Sequence, residues 1–484
     1  MKAIQPQRSN LTLQPDRRRV LIRPFNMLTE ERAIKISARV LVLPEAEVRS
    51  LLKDVLAEFN ERHMKIRDFL QQRFEQVRRW LPTDHELSEE RRLLLGAYFS
   101  HEYSFEAAAL FNPSIVPHPD QSDVPPGALR FVLSLRATGE GHISSITFRT
   151  GMLDAAGNIT INDPTRFNLE PTQAPNASFE KNLFERKLRE LGIAGDFTRQ
   201  VLDGLGGVFT LDELNASLAL TTKQLHAGGQ EVESTTRKIL ALAQSNYEVQ
   251  FAPDSRLSER VLFPATPSQS NGIEDARFVL FQNDDGSRNY YATYTAYDGR
   301  LILPQFIDTP DFLHFKFITL NGAAVQNKGM ALFPRKINGM YAMLGRQDYE
   351  NIYIMFSDHL HFWHTTQLLL KPAFPWEFIQ MGNCGSPIET ESGWLVISHG
   401  VGPMRKYCIG AFLLDLDDPA KVIGRLREPL IQPAEDEREG YVPNVVYSCG
   451  SLLHEGRLII PYAMSDYATR FATLSLDDVL AAMI

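Results

Sequence analysis

The sequence has little cysteine and no long apolar run. Its three cysteines, Cys384, Cys408 and Cys449, are too few and too widely spaced for a disulfide framework, and none belongs to a CxxC pair of a structural zinc site. No apolar run reaches the roughly 18 residues that a transmembrane helix needs. We therefore expect buried free thiols and no membrane span.

An excess of positive charge is also missing. The chain carries 50 Lys and Arg against 59 Asp and Glu, a net charge of −9. Nucleic-acid binders are more often basic, so neither DNA nor RNA is expected as the main partner, whereas a local basic pocket for a small anion is compatible with this balance. The N-terminus lacks the apolar core and the cleavage site of a signal peptide, which predicts a cytoplasmic protein.

The local motifs of several enzyme classes are absent as well. The sequence contains no Walker A pattern, no GxGxxG after a strand, no HExxH and no GxSxG. We expect neither a metal site nor an organic cofactor.

The sequence does contain a repeated unit of short apolar strands separated by glycine turns. Units start near Gly272, Ala331, Pro387 and Pro443, about 56 to 59 residues apart, and a fifth unit starts near Asn112. Several short strands per unit at an even spacing are typical of β-propeller blades, which in the kelch class are about 50 residues long. The sequence therefore predicts a mainly β chain that forms a five-bladed β-propeller.

Two regions with helical periodicity accompany the propeller. Amphipathic helices are predicted over 44–81 and 88–99, and four further helices between 179 and 243. These regions either pack on the side of the propeller or make a homo-oligomer contact, and both alternatives stay open. The predicted organisation is an N-terminal, largely helical extension over 1–104, a propeller over 105–475 with a helical insertion at about 175–246, and a C-terminal helix over 476–484.

The most unusual segment is NGIEDAR at 271–277, where two acids and an arginine stand between a glycine and an apolar strand. The first strand of a propeller blade lines the central channel. A carboxylate at its start would therefore face the axis, where a small ligand binds. The alternative is a turn with a local Asp–Arg pair.

Polar residues recur at similar places in the other units. Converging amide, hydroxyl, amine and carboxylate groups are typical of a sugar or phosphate site. For the residues that follow strands, a structural salt bridge or backbone bond is the alternative. The strand-start residues are Asn112, Ser114, Lys328, Ser386, Glu389 and Asn444, and the residues after strands are Arg136, Arg346, His399 and Asp466.

An ordered set of motifs resembles glycoside hydrolase family 130, the β-mannoside phosphorylases and related β-mannosidases. The helical regions 27–104 and 175–246 are not matched by its compact members. The matching stretches are NPSIV at 112–116, NGIEDARFV at 271–279, YYATYTAYDG at 290–299, ALFPRKINGMYAML at 331–344, NIYIMFSDHLHFW at 351–363, GSPIETESGWLVISHGV at 385–401, GAFLLDLDDPAKVIGRLREPLIQP at 410–433 and VPNVVYSCGSLLHEGRLIIPYAMSD at 442–466.

The resemblance implies a five-bladed propeller and an inverting phosphorolysis of short manno-oligosaccharides. It implies that Asp275 is the general acid, which protonates the glycosidic oxygen through the mannose 3-hydroxyl. Inorganic phosphate, the co-substrate, would attack from the opposite face and give α-mannose 1-phosphate. The expected phosphate-binding residues are Lys328, Arg346 and Arg136, and the expected substrate-binding residues are Asn112, Ser114, Arg136, Glu274, Arg277, Tyr297, Glu389, His399 and Asp466.

The sequence departs from the family pattern at Ala276, where the family often has proline, and at Gly345, where it often has histidine. A third departure is the 294–297 region, where some phosphorylases carry a basic residue. The phosphate site would then be built differently, for example from Arg405 or Lys406. Without such a site, a carboxylate such as Glu389 would activate water in an exo-β-mannosidase, and a non-catalytic carbohydrate-binding propeller is the third alternative.

Overall fold

The computed structural model describes residues 5–27, 29–174, 178–224, 229–300 and 302–484. Residues 175–177 and 225–228 of the predicted insertion lie outside the described residues. Within these ranges the chain has 29 strands and nine α-helices, so the predicted mainly β fold is confirmed. No described helix has both the length and the apolar character that crossing a membrane requires.

The N-terminal region contains three strands and four helices. These elements are β1 (Gln7–Leu13), β2 (Val20–Pro24), α1 (Glu30–Leu41), α2 (Glu45–Phe59), α3 (Ile66–Val77), α4 (Glu89–Tyr98) and β3 (Ser100–Ser104).

The prediction of one long helix over 44–81 is wrong, since the chain turns between α2 and α3 and Lys65 has a φ of 55°. A left-handed residue cannot continue a right-handed helix, and apolar periodicity does not register such a break. The second predicted helix is confirmed, and the Ser88 hydroxyl oxygen caps it by accepting from the Arg91 amide at 3.2 Å.

The next region contains the first predicted sheet unit and the helical insertion. The first unit consists of β4 (Ala109–Pro117), β5 (Leu129–Thr138), β6 (Ser144–Leu153) and β7 (Ile159–Ile161). Between it and the second unit are β8 (Thr172–Gln173), β9 (Ser178–Glu180), α5 (Lys181–Glu190), α6 (Asp196–Asp203), β10 (Val208–Thr210), α7 (Leu211–Gln224), α8 (Gln230–Gln244), β11 (Tyr247–Gln250) and β12 (Val261–Leu262).

The four helices predicted in the insertion are all present and share their own apolar core. A capping box at Thr210, which the sequence predicts, is confirmed: the Thr210 amide donates to Glu213 Oε2 at 2.8 Å, and the Glu213 amide donates to Thr210 Oγ1 at 3.3 Å. The buried Lys187 Nζ donates to the Leu320 carbonyl at 2.8 Å, which ties the insertion to the end of the second unit.

The remaining units follow one another in chain order. The second unit consists of β13 (Gly272–Gln282), β14 (Arg288–Tyr297), β15 (Ile302–Thr309) and β16 (His314–Thr319), and the third of β17 (Ala331–Leu332), β18 (Tyr341–Gly345), β19 (Ile352–Ser357) and β20 (Gln367–Leu370). The fourth consists of β21 (Gln380–Asn383), β22 (Ile388–Thr390), β23 (Gly393–Val401), β24 (Tyr407–Leu414) and β25 (Val422–Arg425). The fifth consists of β26 (Val446–Tyr447), β27 (Leu452–His454), β28 (Arg457–Met464) and β29 (Ala468–Ser475), and α9 (Leu476–Ala481) follows it.

The strands of the five units lie in four mostly antiparallel sheets. The first two units share one sheet of eleven strands, joined by a single parallel pairing of Gly272 with Ser144. The third, fourth and fifth units form sheets of four, five and five strands. The fifth sheet includes β1, which pairs with β29, so a strand from the N-terminal region completes the last unit.

A buried ion cluster attaches the N-terminal region to the first unit. Glu106 is fully buried and accepts from Arg19 Nη1 at 2.7 Å and from Arg149 Nη2 at 2.8 Å. Arg19 precedes β2, whereas Arg149 lies in β6. The carboxylate is the counter-charge of two buried guanidinium groups, and burial lowers the pKa of Arg19 to about 10.

We predict that Glu106→Gln lowers the free energy of unfolding by about 3 kcal/mol, because it leaves two buried cations without their carboxylate. Urea denaturation followed by circular dichroism measures the change. The matched control is Glu31→Gln, which removes an exposed pair with Lys35 and should cost less than about 0.5 kcal/mol. Equal losses in the two variants would contradict this account of the cluster.

Candidate functional site

The unusual segment predicted at 271–277 forms the start of β13 and contains an irregularity. The pairing of β13 with β14 shifts register between Glu274 and Arg277, and Asp275 has a φ of 55°. A bulge of this kind re-aims a side chain, and Asp tolerates the left-handed conformation better than most residues. The Asp275 side chain is consequently buried, with the residue only 5% exposed.

Asn112 reaches Asp275 from the first strand of the neighbouring unit. It lies at a similar register shift in β4, has a φ of 48°, and donates from Nδ2 to Asp275 Oδ1 at 2.6 Å. The Ser114 hydroxyl oxygen accepts from the Phe278 amide at 3.1 Å and fixes β4 against β13. The two predicted strand-start residues therefore lie next to the predicted acid.

Arg136, at the end of β5, bridges both acids of the motif. Its Nη1 donates to Asp275 Oδ1 at 3.2 Å and its Nη2 to Glu274 Oε1 at 2.7 Å. A third bond from Nε to the Ser144 hydroxyl, at 2.9 Å, holds the guanidinium in place. The carboxylate of Asp275 thus pairs with a distant arginine, and the alternative of a local pair with Arg277 is not observed.

Beside this pair lies a cavity of about 250 Å³. The structure brings four predicted residues to its wall, and it adds aromatic residues that the sequence analysis missed. The predicted residues are Arg136, Glu274, Tyr297 and Asp466, and the missed ones include Phe111, His142 and Tyr441. The rings of His142 and Tyr441 lie 5.1 Å apart, with Tyr441 68% exposed. The cavity therefore has a charged inner wall and an aromatic rim.

Two buried arginines, Arg277 and Arg346, are linked to each other through Tyr447 and His399. Arg277 is 3% exposed and donates from Nη2 to the Tyr447 hydroxyl at 2.6 Å. Arg346 is 7% exposed, and its Nη1 lies 3.3 Å from His399 Nε2. Neither guanidinium has a carboxylate within 4.0 Å in the part of the chain that the structure describes, and the Nε atom of each is buried without a partner.

These cations control the protonation of the neighbouring groups. Burial would raise the pKa of Asp275, but the charges of Arg136, Lys328 and Arg277 and the bond from Asn112 lower it to about 2. Burial and the charges of Arg346 and Arg277 hold the pKa of His399 well below its usual range, so its ring is neutral.

The pKa of Asp466 shifts in the opposite direction to that of Asp275. Burial raises the pKa of Asp466 to about 6, although the charges of Arg136, Arg405 and Lys328 oppose the rise. The pKa of Asp466 therefore lies well above that of Asp275. The charge of Lys328 lowers the pKa of both acids.

Three other sequence candidates lie elsewhere. Glu389 forms a bidentate pair with Arg335, at 2.7 and 2.9 Å, on an exposed hairpin. Lys406 binds Gln432, and Asn444 accepts from Arg438. None of the three contacts Asp275 or Arg136. The expectation that the strand starts converge is therefore wrong for Glu389 and Asn444, and Lys406, offered as an alternative phosphate ligand, binds Gln432 instead.

Tyr447 is the residue of this site that the sequence analysis overlooked most clearly. Its hydroxyl holds Arg277 across a separation of 170 residues, and its ring lies 4.9 Å from that of His399. In the sequence, Tyr447 stands out only by its place in the stretch VPNVVYSCGS, and this stretch does not indicate which residue Tyr447 contacts.

The arrangement combines a buried carboxyl group, a cavity with polar and aromatic walls, and four cations, Arg136, Arg277, Arg346 and Lys328. Such a set can protonate a leaving group and bind an anion at the same time. No group of three His, Cys, Asp or Glu side chains able to hold a metal ion is found among the described residues.

Comparison with known proteins points to one family. The sequence model of the Glyco_hydro_130 family, described as beta-1,4-mannooligosaccharide phosphorylase, matches residues 225–484. A 1,2-beta-oligomannan phosphorylase of Thermoanaerobacter sp. (strain X514) is 38% identical over 46% of this chain and 75% of its own length. A beta-1,2-mannobiose phosphorylase of the same organism is 33% identical over 46% of this chain and 74% of its own length.

A solved structure of the beta-1,2-mannobiose phosphorylase from Listeria innocua covers 78% of this chain and 92% of its own, with 21% identity and a TM-score of 0.46. The membership rests on the sequence matches, since the family model spans more than half of the chain and the first relative is matched over three quarters of its length. The chain belongs to glycoside hydrolase family 130.

Proposed function

We propose that this chain is a cytoplasmic β-mannoside phosphorylase that cleaves short manno-oligosaccharides with inorganic phosphate and releases α-mannose 1-phosphate. One observation carries the proposal. Two buried guanidinium groups, of Arg277 and Arg346, lack carboxylate partners within the described residues. Buried charges are normally paired. We therefore expect these two guanidinium groups to bind an anion from solution. Phosphate is such an anion, and the two Thermoanaerobacter relatives are named as phosphorylases.

We infer that the five units form a five-bladed propeller around this site. Hydrogen bonds between successive units support the inference. The Gln282 amide donates to Pro334 O at 2.8 Å, the Met381 amide to Glu350 O at 2.9 Å, and the Tyr407 amide to Asn444 O at 3.0 Å.

A further bond returns from the fifth unit to the first, since the Cys449 amide donates to Pro113 O at 2.8 Å. The Ser114–Phe278 bond supplies the link between the first and second units. A ring of five units is the arrangement that accounts for all of these links. The contacts of Arg19 and Lys187 support packing of the helical regions on the side of this ring.

In this proposal Asp275 is the general acid, and bound phosphate raises its pKa so that it can carry a proton. With a pKa of about 2, the free carboxyl group is ionised near neutral pH and has no proton to donate. A phosphate dianion bound by Lys328, Arg346 and Arg277 offsets the positive charge that keeps this pKa low. The acid is then protonated only when the nucleophile is in place.

Phosphate and the acid must act on opposite faces of the sugar for inversion. In this proposal the sugar ring stands between Asp275 and the phosphate held by the cations, and Arg136 and Asp466 line the adjoining cavity. The sugar hydroxyls would be bound by Asn112, Glu274, Tyr297 and Asp466. His399 is neutral and adds no negative charge beside Arg346, so the Arg346 guanidinium can pair with the anion. The hydrolase alternative is not favoured, because Glu389 is held by Arg335 and cannot activate water at Asp275.

We predict that cleavage of β-1,2-mannobiose requires phosphate. One molecule of mannose 1-phosphate should form for each bond broken, measured by anion-exchange chromatography with and without phosphate. Asp275→Asn should abolish turnover and leave mannoside affinity largely unchanged, because the amide keeps the size of the carboxyl group. Free mannose formed at the same rate without phosphate would instead make the enzyme a hydrolase.

We predict that Arg346→Gln raises the KM for phosphate about ten- to a hundredfold, since a charge-assisted bond contributes about 1.5–3 kcal/mol. The KM for the mannoside should change little. Initial rates at varied phosphate measure the effect. Arg335→Gln is the control, because that arginine binds Glu389 on the exposed hairpin. A similar rise in both variants would exclude a specific phosphate contact.

We predict that anion binding is coupled to proton uptake by Asp275. Sulfate is the probe, since it stays a dianion over the pH range used. Near pH 4.5 Asp466 is already protonated in the free chain, so its contribution is small. Calorimetric titrations in buffers of different ionisation enthalpy should show uptake in the wild type and in Asp466→Asn, and much less in Asp275→Asn. Equal uptake in all three proteins would contradict the proposal.

A further inference from the structure

Two rings from distant parts of the chain border the mouth of the cavity beside Asp275. His142 lies on the turn between β5 and β6, and Tyr441 lies on the segment before β26. Their ring centroids are 5.1 Å apart, and the ring planes are tilted by 33°. This contact joins the first unit to the fifth at the edge of the cavity.

The backbone fixes the position of Tyr441. The Val442 amide donates to the Ser465 carbonyl at 3.0 Å. Gly440 packs so closely on the same turn that a Cβ atom there would lie 2.4 Å from the Ser465 carbonyl oxygen. The residues on both sides of Tyr441 are therefore attached to the turn between β28 and β29, which carries Asp466.

The hairpin of β5 and β6 fixes the position of His142. The His142 amide donates to the Gly139 carbonyl at 3.2 Å, and His142 has a left-handed φ of 58°. The same hairpin carries Arg136, whose Nε donates to the Ser144 hydroxyl at 2.9 Å. One hairpin therefore presents a cation to the buried carboxyl group and a ring to Tyr441.

Most of the Tyr441 side chain is accessible to a ligand. The residue is exposed although it borders the cavity, and within the described residues His142 supplies its one ring contact. An exposed aromatic ring at the mouth of a polar cavity suits a molecule with one apolar face and several hydroxyl groups. Mannose is such a molecule, because the axial hydrogens at C3 and C5 form an apolar face and the axial O2 lies on the opposite face.

We propose that Tyr441 stacks on the mannose unit that departs in the reaction, and that His142 is a positioning residue that supports the Tyr441 ring. This inference rests on the proposed function. Inversion places phosphate on one face of the transferred sugar and the departing unit on the other, on the side of the general acid. Arg136 contacts Asp275 at 3.2 Å and also lines the cavity, so the cavity adjoins the acid and receives the departing unit.

The first test measures binding without turnover, with Asp275→Asn as the background. In isothermal titration calorimetry with β-1,2-mannobiose, adding Tyr441→Ala should weaken affinity about tenfold, because the sugar loses its stacking surface. Tyr441→Phe should bind as the background does, since stacking needs the ring and not the hydroxyl. The control is Phe378→Ala, which removes an exposed ring outside the cavity. Unchanged affinity in Tyr441→Ala, or an equal loss in the control, would overturn the proposal.

The second test runs the reaction in the synthetic direction, with mannose 1-phosphate as the donor and β-1,2-mannobiose as the acceptor. Tyr441→Ala and His142→Ala should raise the KM for the acceptor several-fold and leave the KM for the donor unchanged. His142→Phe should restore the acceptor KM, because it keeps a ring against Tyr441. Equal rises in both KM values would overturn the assignment of these rings to the departing unit.

The two tests separate this inference from the proposed function. A wild-type protein that makes no mannoside from mannose 1-phosphate would contradict phosphorolysis. The calorimetric comparison of Tyr441→Ala with Tyr441→Phe would still decide whether the ring stacks on the sugar, because it requires neither phosphate nor turnover.

Discussion

An imbalance of buried charge around one carboxyl group is the constraint on which the rest of the site depends. Arg277 and Arg346 are buried, and the charges of Arg136, Lys328 and Arg277 all act on Asp275. Arg136 is neutralised by Asp275 and Glu274. The other cations have no such partner among the described residues, which makes the free protein a receptor for an anion. The low pKa of Asp275 is a consequence of this imbalance rather than a separate property.

The backbone explains how the sheets place these groups. Asn112, Asp275, Asn327 and Asn444 all have φ values between 48° and 63°, and each stands at or just before the first strand of a unit. Asn and Asp tolerate this left-handed conformation, which turns a strand-start side chain out of the regular alternation. The same left-handed conformation recurs in several units. In the first two units it brings the side chains of Asn112 and Asp275 into contact.

Sequence reasoning could predict the features that local patterns encode. Spacing and glycine turns indicated five units, and the acids of 271–277 indicated the centre of the site. The break of the predicted helix at Lys65 was missed because it depends on one left-handed residue and not on hydrophobic periodicity. The pairing of Arg277 with Tyr447 joins residues 170 positions apart, and that of Glu389 with Arg335 removes a candidate from the site. Such contacts follow from tertiary packing, which a single sequence does not show.

A crystal structure of the protein soaked with inorganic phosphate tests the central claim most directly. The account predicts one phosphate ion bound jointly by the side chains of Arg346, Lys328 and Arg277, next to the Asp275 carboxyl group. A phosphate ion bound at another place, or an unoccupied space between these cations at saturating phosphate, would contradict it.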